Sequence, residues 1–478
     1  MKQVVFILLL LPPYLHAQEC DCTSSFNWLK ETFETNDAGF PVVIKTKGTD
    51  TYQNFSDSIA QHTKQIQNHT ECVKLLDEWT HFFRKGHVGV YYTHNPDKNS
   101  RTQGTEAPKP QPKIWPVDTT ALFKKLKDRK PPYGICDVWY NNNYKMVVVP
   151  DTINAQRDYV GVLLWTNKPQ WKAGQVKTEF SDSGSLVNYY MADHTPQQQS
   201  FSYSLKYLKT GNFHWTRSTE YVAPEDTAEF SIYMTEVPRI KQINNETVLI
   251  RIPSFSYKYK EKIDNLIAEN QPLLDSTQNL IIDVRGNGGG ADRSFKNITP
   301  FLYTQPMKFH NIEIRSTPMN IAVYKKWFSK SFLQRVFFGL ALKRRLKKNM
   351  GEYVAMTQAK IRTIDNYDPK PYPENVYVIA DENCASSTEQ FLLMAEQSSK
   401  TTIVGKTTFG AIDVSNVNTV MFPNNKYRLN YATSRSLRVS ERIIDDIGIT
   451  PEITIPDTVP KYRWLRYIEK NLLSKKGE

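Results

Sequence analysis

The chain has 478 residues and a mass of 55.3 kDa, which is too long for one ordinary domain and indicates about three. Hydrophobic residues make up 40% of the sequence and aromatic residues 12%, so the chain can form sizeable cores and wholesale disorder is excluded. The formal net charge of +12 makes nucleic acid, an anionic membrane surface or an acidic substrate candidate partners.

Residues 1–17 have the pattern of a secretory signal peptide. Lys2 gives a positive start, an unbroken apolar run extends from Val4 to Leu11, and Ala17 supplies a small residue for cleavage. This run is too short for a membrane anchor, which needs about 20 apolar residues. We therefore expect the mature protein to be exported, either to a periplasm or out of the cell.

Residues 18–94 are predicted to form a helical N-terminal domain. Apolar residues between Phe26 and Trp79 recur at spacings of three and four, which is the period of an amphipathic helix. The helical pattern ends at a glycine-flanked histidine, His87, where the alternation typical of a strand begins.

Three of the five cysteines, Cys20, Cys22 and Cys72, lie in this N-terminal region. In an oxidising compartment Cys72 can form a disulfide with Cys20 or with Cys22, and the sequence leaves this choice open. Because no His or Cys cluster at zinc spacing accompanies them, a disulfide is favoured over a metal site. No metal and no cofactor are predicted.

Residues 95–115 are rich in Pro, Lys, Asn, Thr and Gln, which indicates a loop or linker. Residues 116–245 are predicted to form a β-rich middle domain, because short β-like runs alternate there with polar turns. These runs include Met146–Val149, Tyr159–Trp165 and Phe230–Met234.

Residues 246–478 are predicted to form an α/β core with a mainly parallel sheet, because short apolar strands alternate with helical segments. The predicted strands are Thr247–Ile252, Leu280–Val284, Val376–Ala380 and Thr402–Val404, with helices near residues 258–270 and 388–397. In such sheets the functional groups lie in loops beyond the carboxyl ends of the strands.

A glycine-rich loop follows the second predicted strand of this core. The sequence from Gly286 to Gly290 contains four glycines, whose exposed N–H groups can hold a phosphate or a reaction oxyanion. A phosphate loop would require Gly-Lys-Ser/Thr at the start of a helix, and that sequence is absent. A merely flexible turn is the structural alternative.

A second loop, from Asn383 to Gln390, follows the third predicted strand and leads into a helix. The functional interpretation is a nucleophile at a strand-to-helix corner, with backbone N–H groups holding the oxyanion. Two structural interpretations compete with it. Ser387 or Thr388 can cap the helix, and Cys384 can be a small buried residue.

Four segments in chain order carry a resemblance to a known family. They are Val-Arg-Gly-Asn-Gly-Gly-Gly at 284–290, Cys-Ala-Ser-Ser-Thr-Glu at 384–389, Thr-Thr-Phe-Gly at 407–410 and Gly-Ile-Thr-Pro-Glu at 448–452. Together they resemble the tail-specific or C-terminal processing peptidases, which are secreted or periplasmic serine proteases of the superfamily that includes the tricorn core protease. The resemblance covers about 280–452 and implies a fold similar to ClpP and crotonase.

The resemblance implies Ser386 as the nucleophile, with the N–H groups of Ser387 and Gly290 forming the oxyanion hole. The processing peptidases have a Lys directly after Thr-Phe-Gly, and this chain has Ala411 there. Since alanine cannot accept a proton, a Ser–Lys dyad is not expected, and Lys406 is not expected to replace the missing base.

The tricorn-like branch uses a histidine from an N-terminal segment and an acid near the C-terminal motif. This likeness implies His87 as the general base and Asp445 as the acid, with Asp446 as the second choice. The branch also has a Ser just before its His, whereas this chain has Gly86.

Most of the basic excess lies in one insertion, residues 314–351, which contains ten Lys and Arg residues and no acidic residue. Its apolar residues recur at helical spacing, so we predict an amphipathic basic helix. Such a helix can form a lid, can contact an anionic membrane surface through residues 325–348, or can pack on the core with its charges in water. Nucleic-acid binding is not predicted.

The leading hypothesis is an exported serine endopeptidase that hydrolyses a protein or peptide substrate through a Ser/His(/Asp) acyl-enzyme mechanism. The alternative is a catalytically inactive family member that binds a peptide or a hydrophobic ligand, and the Ala at position 411 favours it. A third hypothesis is a membrane-surface scaffold that acts through the basic helix. No Gly-Leu-Gly-Phe-like sequence is present, so recognition of substrate C-termini is not predicted.

Overall fold

The computed structural model describes residues 20–93 and 112–473, except for 117, 129–133, 142, 154–156, 183–184, 205, 212, 219–228, 230–231, 234, 329–338 and 358. The predicted signal peptide and most of the predicted linker lie outside the described residues. Within the described part of the chain, every helix is too short or too polar to cross a bilayer.

The N-terminal region is helical, as predicted, and ends in one strand. Its elements are α1 (Cys22–Asn36), α2 (Phe40–Lys47), α3 (Thr49–Thr63), α4 (His69–His81) and β1 (Gly89–Tyr92). Asn68 caps α4, because its side-chain oxygen accepts a hydrogen bond of 2.8 Å from the Glu71 N–H. A disulfide between Cys22 and Cys72 joins α1 to α4 and answers the open question of pairing.

These helices share their hydrophobic core with a strand from the far end of the chain. Phe26 and Trp79 are buried in one cluster with Tyr427 and Leu429. In addition, β1 pairs antiparallel with the segment that contains Tyr427 and Leu429. The end of the N-terminal region, where His87 lies, is therefore fixed against residues more than 300 positions later.

The middle region is a closed antiparallel barrel of eight strands, preceded by helix α5 (Thr119–Asp128). The strands are β2 (Val138–Tyr140), β3 (Tyr144–Pro150), β4 (Tyr159–Thr166), β5 (Val176–Ser181), β6 (Leu186–Tyr190), β7 (Pro196–Tyr203), β8 (Tyr207–Thr210) and β9 (Phe213–Arg217). Pairing of β2 with both β3 and β9 closes the barrel. The prediction of a β-rich region is confirmed.

The predicted strand Phe230–Met234 is wrong for Ile232 and Tyr233, which are helical. Ile232 packs against the apolar cluster on one face of the core sheet. The ring of Tyr233 lies 4.9 Å from the Arg285 guanidinium. These contacts with the core, which the local β-like pattern does not contain, hold the segment.

The core alternates strands and helices from residue 239 onward. Its elements are β10 (Arg239–Gln242), β11 (Thr247–Arg251), α6 (Lys260–Glu269), α7 (Gln271–Leu274), β12 (Asn279–Asp283), α8 (Thr299–Leu302), β13 (Met307–His310), β14 (Ile312–Arg315), α9 (Pro318–Phe328), α10 (Leu340–Lys348), β15 (Tyr353–Ala355), β16 (Ile361–Ile364), β17 (Asn375–Ala380), α11 (Ser387–Ala395), β18 (Thr401–Gly405), β19 (Val414–Met421), β20 (Tyr427–Ser436), β21 (Ile453–Thr454) and α12 (Trp464–Ile468).

A six-stranded sheet in the order β10-β11-β12-β17-β18-β21 positions the predicted site. Only the edge pairing of β10 with β11 is antiparallel, and the other pairings are parallel. Every residue of β11 and of β12 is buried, as expected for strands covered on both faces. The loops after β12, β17 and β18 consequently leave from the same edge.

The expectation of a mainly parallel core is not confirmed for the core as a whole. A second sheet joins β1, β20, β14, β15 and β19 with antiparallel pairings throughout, and β13 pairs antiparallel with β16. The long β19–β20 hairpin forms because two extended segments are joined by a short turn, which is a geometry that only antiparallel strands allow.

The basic insertion packs on this antiparallel sheet through the apolar side of α10. Leu342 and Leu346 are buried in a cluster with Ile314, Tyr324 and Val354. This contact agrees with a helix that packs on the core and keeps its charges in water. Residues 329–338 of the insertion lie outside the described residues, and membrane contact stays a prediction.

Candidate active site

Ser386 lies at the corner between strand β17 and helix α11. Its φ of 58° and ψ of −123° are rare for a residue other than glycine, and such a conformation costs on the order of 1–3 kcal/mol. Ser386 is the N-cap of the helix, so the prediction that Ser387 or Thr388 caps it is wrong. Its side chain is partly exposed, whereas Ser387 and Thr388 are buried. This is the geometry of a nucleophile held on a sharp strand-to-helix turn.

Cys384, two residues before Ser386 in the same loop, is completely buried. Its thiol donates to the Val284 carbonyl at 3.1 Å, and burial raises the pKa of the thiol well above its usual value. A cysteine in this state stays protonated and is not a nucleophile. Its interpretation as a small buried residue is correct.

The glycine-rich loop lies directly against Ser386, and Gly289 makes the closest approach. A Cβ atom at Gly289, where φ is +99°, would lie 2.8 Å from the Ser386 Cβ and 2.7 Å from the Ala385 carbonyl oxygen. Gly290 lies beside Phe255, and a Cβ atom there would lie 2.3 Å from the Phe255 carbonyl carbon. The loop therefore needs both glycines, one to approach Ser386 and one to pass Phe255.

Asn287 holds this loop in place, a role that the sequence analysis missed. Its side-chain oxygen accepts hydrogen bonds from the N–H groups of Gly289 at 3.0 Å and Phe255 at 3.1 Å. Its backbone oxygen accepts one from the Ala385 N–H at 3.2 Å, one residue before Ser386. Its position between the glycines of the motif was the available signal.

The two predicted oxyanion donors differ from Gly289 in their hydrogen bonding. Among the described residues, the N–H groups of Gly290 and Ser387 donate to no acceptor, whereas the Gly289 N–H is bonded to Asn287. Ser387 is also the first residue of α11, where the helix dipole adds positive potential. Both N–H groups are thus left to bind an external oxygen.

Glu389 links the corner that contains Ser386 to the loop after β18. This side chain is fully buried and accepts hydrogen bonds from the N–H groups of Ser386 at 3.1 Å, Ala411 at 2.9 Å and Gly410 at 2.7 Å. The Thr408 hydroxyl donates to it at 2.5 Å. Burial raises the pKa of the carboxyl group, and these donors oppose that shift. Glu389 belongs to the motif at 384–389, but no role for it was predicted from the sequence.

Ala411, at the position where the processing peptidases have Lys, faces Gly86. A Cβ atom at Gly86 would lie only 2.6 Å from the Ala411 Cβ, so this close packing requires a small residue at both positions. The chain segment that carries His87 thereby occupies the space beside Ala411. Lys406 does not replace the missing base, because its Nζ forms an ion pair of 2.5 Å with Asp457.

His87 follows Gly86 and, like Ser386, has a φ of 58°. Its Nδ1 lies 2.5 Å from the Val414 carbonyl oxygen. Because a carbonyl only accepts, the proton is assigned to Nδ1 and the lone pair to Nε2. Burial lowers the pKa of His87, which favours the neutral imidazole. Arg84 supports the turn by donating to the carbonyl oxygens of Gly86 at 3.1 Å and His87 at 3.2 Å.

Asp445 does not bond to His87. It holds the backbone just before Val414, whose carbonyl oxygen accepts the hydrogen bond from the His87 Nδ1. The Oδ1 atom of Asp445 accepts hydrogen bonds from the N–H groups of Ile412 at 2.6 Å and Asp413 at 2.7 Å. Burial, followed by the nearby Asp413 carboxylate, raises the pKa of Asp445 to about 7. Any effect of Asp445 on His87 is therefore indirect.

Asp446, the second choice for the acid, contacts the His87 segment from the other side. Its Oδ1 accepts a hydrogen bond of 2.9 Å from the Lys85 N–H. The carboxylates of Asp445 and Asp446 both accept hydrogen bonds from backbone N–H groups, and neither bonds to the imidazole of His87.

A cavity of about 950 Å³ opens beside these loops, between the barrel and the core. The barrel contributes Tyr203 and Tyr207, and the ends of core strands contribute Arg251 and Arg285. Gly286 from the glycine-rich loop and Asn383 from the Ser386 loop complete its inner edge. The cavity is large enough for several residues of a peptide.

The fold and the family comparison together define a serine-type peptidase. The core region, residues 246–455, matches the model of peptidase family S41. A search of curated proteins found no match to the chain.

Solved structures with the same fold extend the likeness over nearly the whole chain. Mature CPAF has a TM-score of 0.51 at 13% identity, covering 94% of this chain and 96% of CPAF. The s499a mutant of CPAF has a TM-score of 0.52 at 12% identity, with the same coverage. At these identities the likeness shows the fold alone.

Proposed function

We propose that this chain is an exported serine endopeptidase that hydrolyses peptide bonds through an acyl-enzyme formed on Ser386. The observation that carries the proposal is the position of Glu389, which bonds both the Ser386 N–H and the Ala411 N–H. Ala411 in turn packs against Gly86, the residue before His87. One buried carboxylate thus links the nucleophile to the segment of its base.

In the proposed mechanism, the Nε2 atom of His87 takes the proton from the Ser386 hydroxyl as its oxygen attacks the peptide carbonyl carbon. The N–H groups of Ser387 and Gly290 hold the resulting oxyanion. His87 then gives the proton to the leaving amine, and the C–N bond breaks. In the second half, His87 takes a proton from water as the water oxygen attacks the ester carbon. The C–O bond to Ser386 then breaks, His87 gives the proton to the Ser386 oxygen, and the carboxylic acid product leaves.

The Val414 carbonyl takes the orienting role in this mechanism. It accepts the Nδ1 proton of His87 and keeps the lone pair on Nε2 directed away from β19. A carbonyl dipole stabilises the imidazolium less than a carboxylate would, because it carries only a partial charge. Asp445 supports the proposal indirectly, by holding the two residues before Val414.

A serine-reactive phosphonate probe tests the proposal on the purified chain. We expect labelling of Ser386 in the wild type and loss of both labelling and peptide cleavage in Ser386→Ala. Ser399→Ala, at an exposed serine after α11, is the matched control and should keep both. If cleavage and labelling survive Ser386→Ala, the assignment of the nucleophile is wrong.

The rival function is a catalytically inactive binding protein, which the absence of the family Lys at position 411 favours. Native mass spectrometry of the purified chain, together with a broad peptide library, separates the two. Cleavage of any library peptide that depends on Ser386 and His87 supports the peptidase. Retention of a bound peptide or apolar ligand without any cleavage supports the binding protein.

Export is part of the proposal and is supported by the apolar N-terminal run and by the disulfide of Cys22 and Cys72. N-terminal sequencing of protein expressed from the full gene tests it. We expect a mature protein that begins at Gln18 in the extracytoplasmic fraction. Full-length protein that starts at Met1 and stays in the cytoplasm would contradict export.

A further inference from the structure

The cavity between the barrel and the core is rich in positive charge. Its basic lining residues are Lys206, Arg251, Lys258, Arg285 and Lys461, and its acidic ones are Glu236 and Glu382. Several of these charges are already balanced. Asp283 pairs with Arg285 at 2.6 Å and with Arg251 at 3.4 Å, while Lys461 pairs with Asp381 at 3.2 Å and also with Glu382.

Lys206 is the exception among the buried cations of this cavity. It lies between β7 and β8 at the rim of the barrel and is only 7% exposed. Among the described residues, its Nζ has no hydrogen-bond acceptor and no ion-pair partner, and the Tyr207 ring lies 4.8 Å away. The pKa of Lys206 falls to about 8, because burial and, less strongly, the nearby Arg251 lower it while the carboxylates of Glu236 and Asp283 raise it. Most of the population is therefore still charged at pH 7. Lys206 lines the cavity, and a charge in a largely buried side chain without an ion-pair partner is costly.

The cavity that Lys206 lines extends to the two loops of the proposed active site. Gly286 belongs to the loop that contains Gly290, and Asn383 lies three residues before Ser386. An extended peptide advances about 3.3 Å per residue, so a substrate bound at Ser386 reaches the cavity within a few residues. The cavity volume of about 950 Å³ accommodates such a segment.

We propose that Lys206 binds a carboxylate of the peptide substrate and makes the enzyme selective for peptides that carry a carboxylate near the scissile bond. The carboxylate belongs to an Asp or Glu side chain or to the free C-terminus of the peptide. Lys206 gains the partner that the fold does not supply, and charge-assisted hydrogen bonds of this kind are the stronger ones in proteins. The inference rests on the proposed peptidase function only for the identity of the ligand as a substrate.

Matched peptides test the inference on the full mature chain. A cleaved parent peptide is prepared with Glu or with Gln near the scissile bond, each with a free or an amidated C-terminus. We expect kcat/KM to be about tenfold higher for the peptides with a carboxylate, chiefly through KM. Lys206→Met should bring the two classes to within about twofold of each other, and Lys206→Arg should retain the preference. The amidated series tells which carboxylate is bound.

Lys209→Met is the matched control, because Lys209 is exposed on β8 and outside this cavity, and its selectivity should equal that of the wild type. Fluorescence anisotropy with the Ser386→Ala variant measures peptide binding independently of cleavage. Tighter binding of carboxylate peptides that Lys206→Met abolishes supports the inference even if no peptide is hydrolysed. An unchanged preference in Lys206→Met overturns it, whatever the catalytic activity.

Discussion

Ala411 and Gly86 contact each other at the centre of the site, and their small size determines which base can act there. A lysine at position 411 would need the volume that the Gly86–His87 turn occupies, since even one added carbon at Gly86 would lie 2.6 Å from the Ala411 Cβ. A Lys at position 411 and the Gly86–His87 turn therefore exclude each other sterically. This argues against reading Ala411 as a sign of lost activity.

Ala411→Lys is accordingly expected to impair the enzyme. Overpacking against Gly86 should cost about 1–3 kcal/mol in the free energy of unfolding and displace His87, so kcat/KM should fall by at least tenfold. Urea denaturation and peptide cleavage measure the two effects. Ser399→Lys, at an exposed position, serves as the control. Restoration of activity by Ala411→Lys in a His87→Ala background would show instead that a Ser–Lys dyad fits.

The raised pKa of Asp445 predicts that the stability of the fold depends on pH. Its pKa is raised to about 7, so the folded chain holds this proton more tightly than the unfolded chain. The stability that this proton provides is fully present below the ordinary pKa of an aspartate and is lost as the pH rises toward 7. Asp445→Asn keeps an oxygen for the N–H groups of Ile412 and Asp413 but cannot ionise.

We therefore expect the melting temperature of the wild type to fall by a few degrees more than that of Asp445→Asn between pH 4.5 and pH 8. Differential scanning calorimetry across this range measures the difference. Asp446→Asn is the matched control at the exposed neighbouring acid. If Asp445→Asn follows the wild type at every pH, Asp445 does not titrate in this window.

At the scale of elements, the sequence was informative where a pattern is local. The buried runs at β11, β12 and β17 and the small-residue corner before α11 were predicted because apolar strands and glycine turns are visible in a few residues. The β19–β20 hairpin was not predicted, since its strands are stabilised by pairing with β1 and β14, which lie far away in the sequence. The roles of Glu389 and Val414 were missed for the same reason.

The disulfide between α1 and α4 provides a prediction at this scale. It closes a loop with a sequence separation of 50, and removing a crosslink of this length costs about 2–4 kcal/mol. Because α4 packs with β20 and leads to His87, the Cys22→Ser/Cys72→Ser variant should lose thermal stability and catalytic activity together. Cys136→Ser, at a cysteine that forms no disulfide, is the control. A destabilised variant with unchanged kcat would show that α4 does not position His87.

At the scale of the whole molecule, the predicted catalytic pair joins distant regions of the chain. His87 comes from the end of the helical region and Ser386 from the core, and β1 holds the first against the antiparallel sheet of the second. The barrel adds Lys206, Tyr203 and Tyr207 to the cavity beside them. The proposed nucleophile, base and substrate cavity thus come from all three regions, although the family match covers only residues 246–455.

The net charge of +12 describes one part of the chain and not the whole surface. Ten basic residues lie in the insertion 314–351, and the remainder of the chain is nearly balanced. Since Leu342 and Leu346 are buried against the core, the apolar side of α10 is not available to a bilayer, and of its leucines Leu340 alone is exposed. Its exposed charges, Arg344, Arg345, Lys347 and Lys348, can act only through electrostatic attraction.

We therefore expect the mature chain to adsorb weakly to vesicles that contain anionic lipid and to dissociate when the salt concentration is raised to 0.5 M, where the Debye length is only about 4 Å. Each exposed charge contributes about 1 kcal/mol near such a surface, so Arg344→Gln/Lys347→Gln/Lys348→Gln should weaken binding at least tenfold in a flotation assay. Replacing Lys45, Lys47 and Lys64 of the N-terminal region by Gln removes the same charge elsewhere and should leave binding intact. Binding that persists in high salt would mean that apolar residues enter the bilayer, and α10 would then have to leave the core.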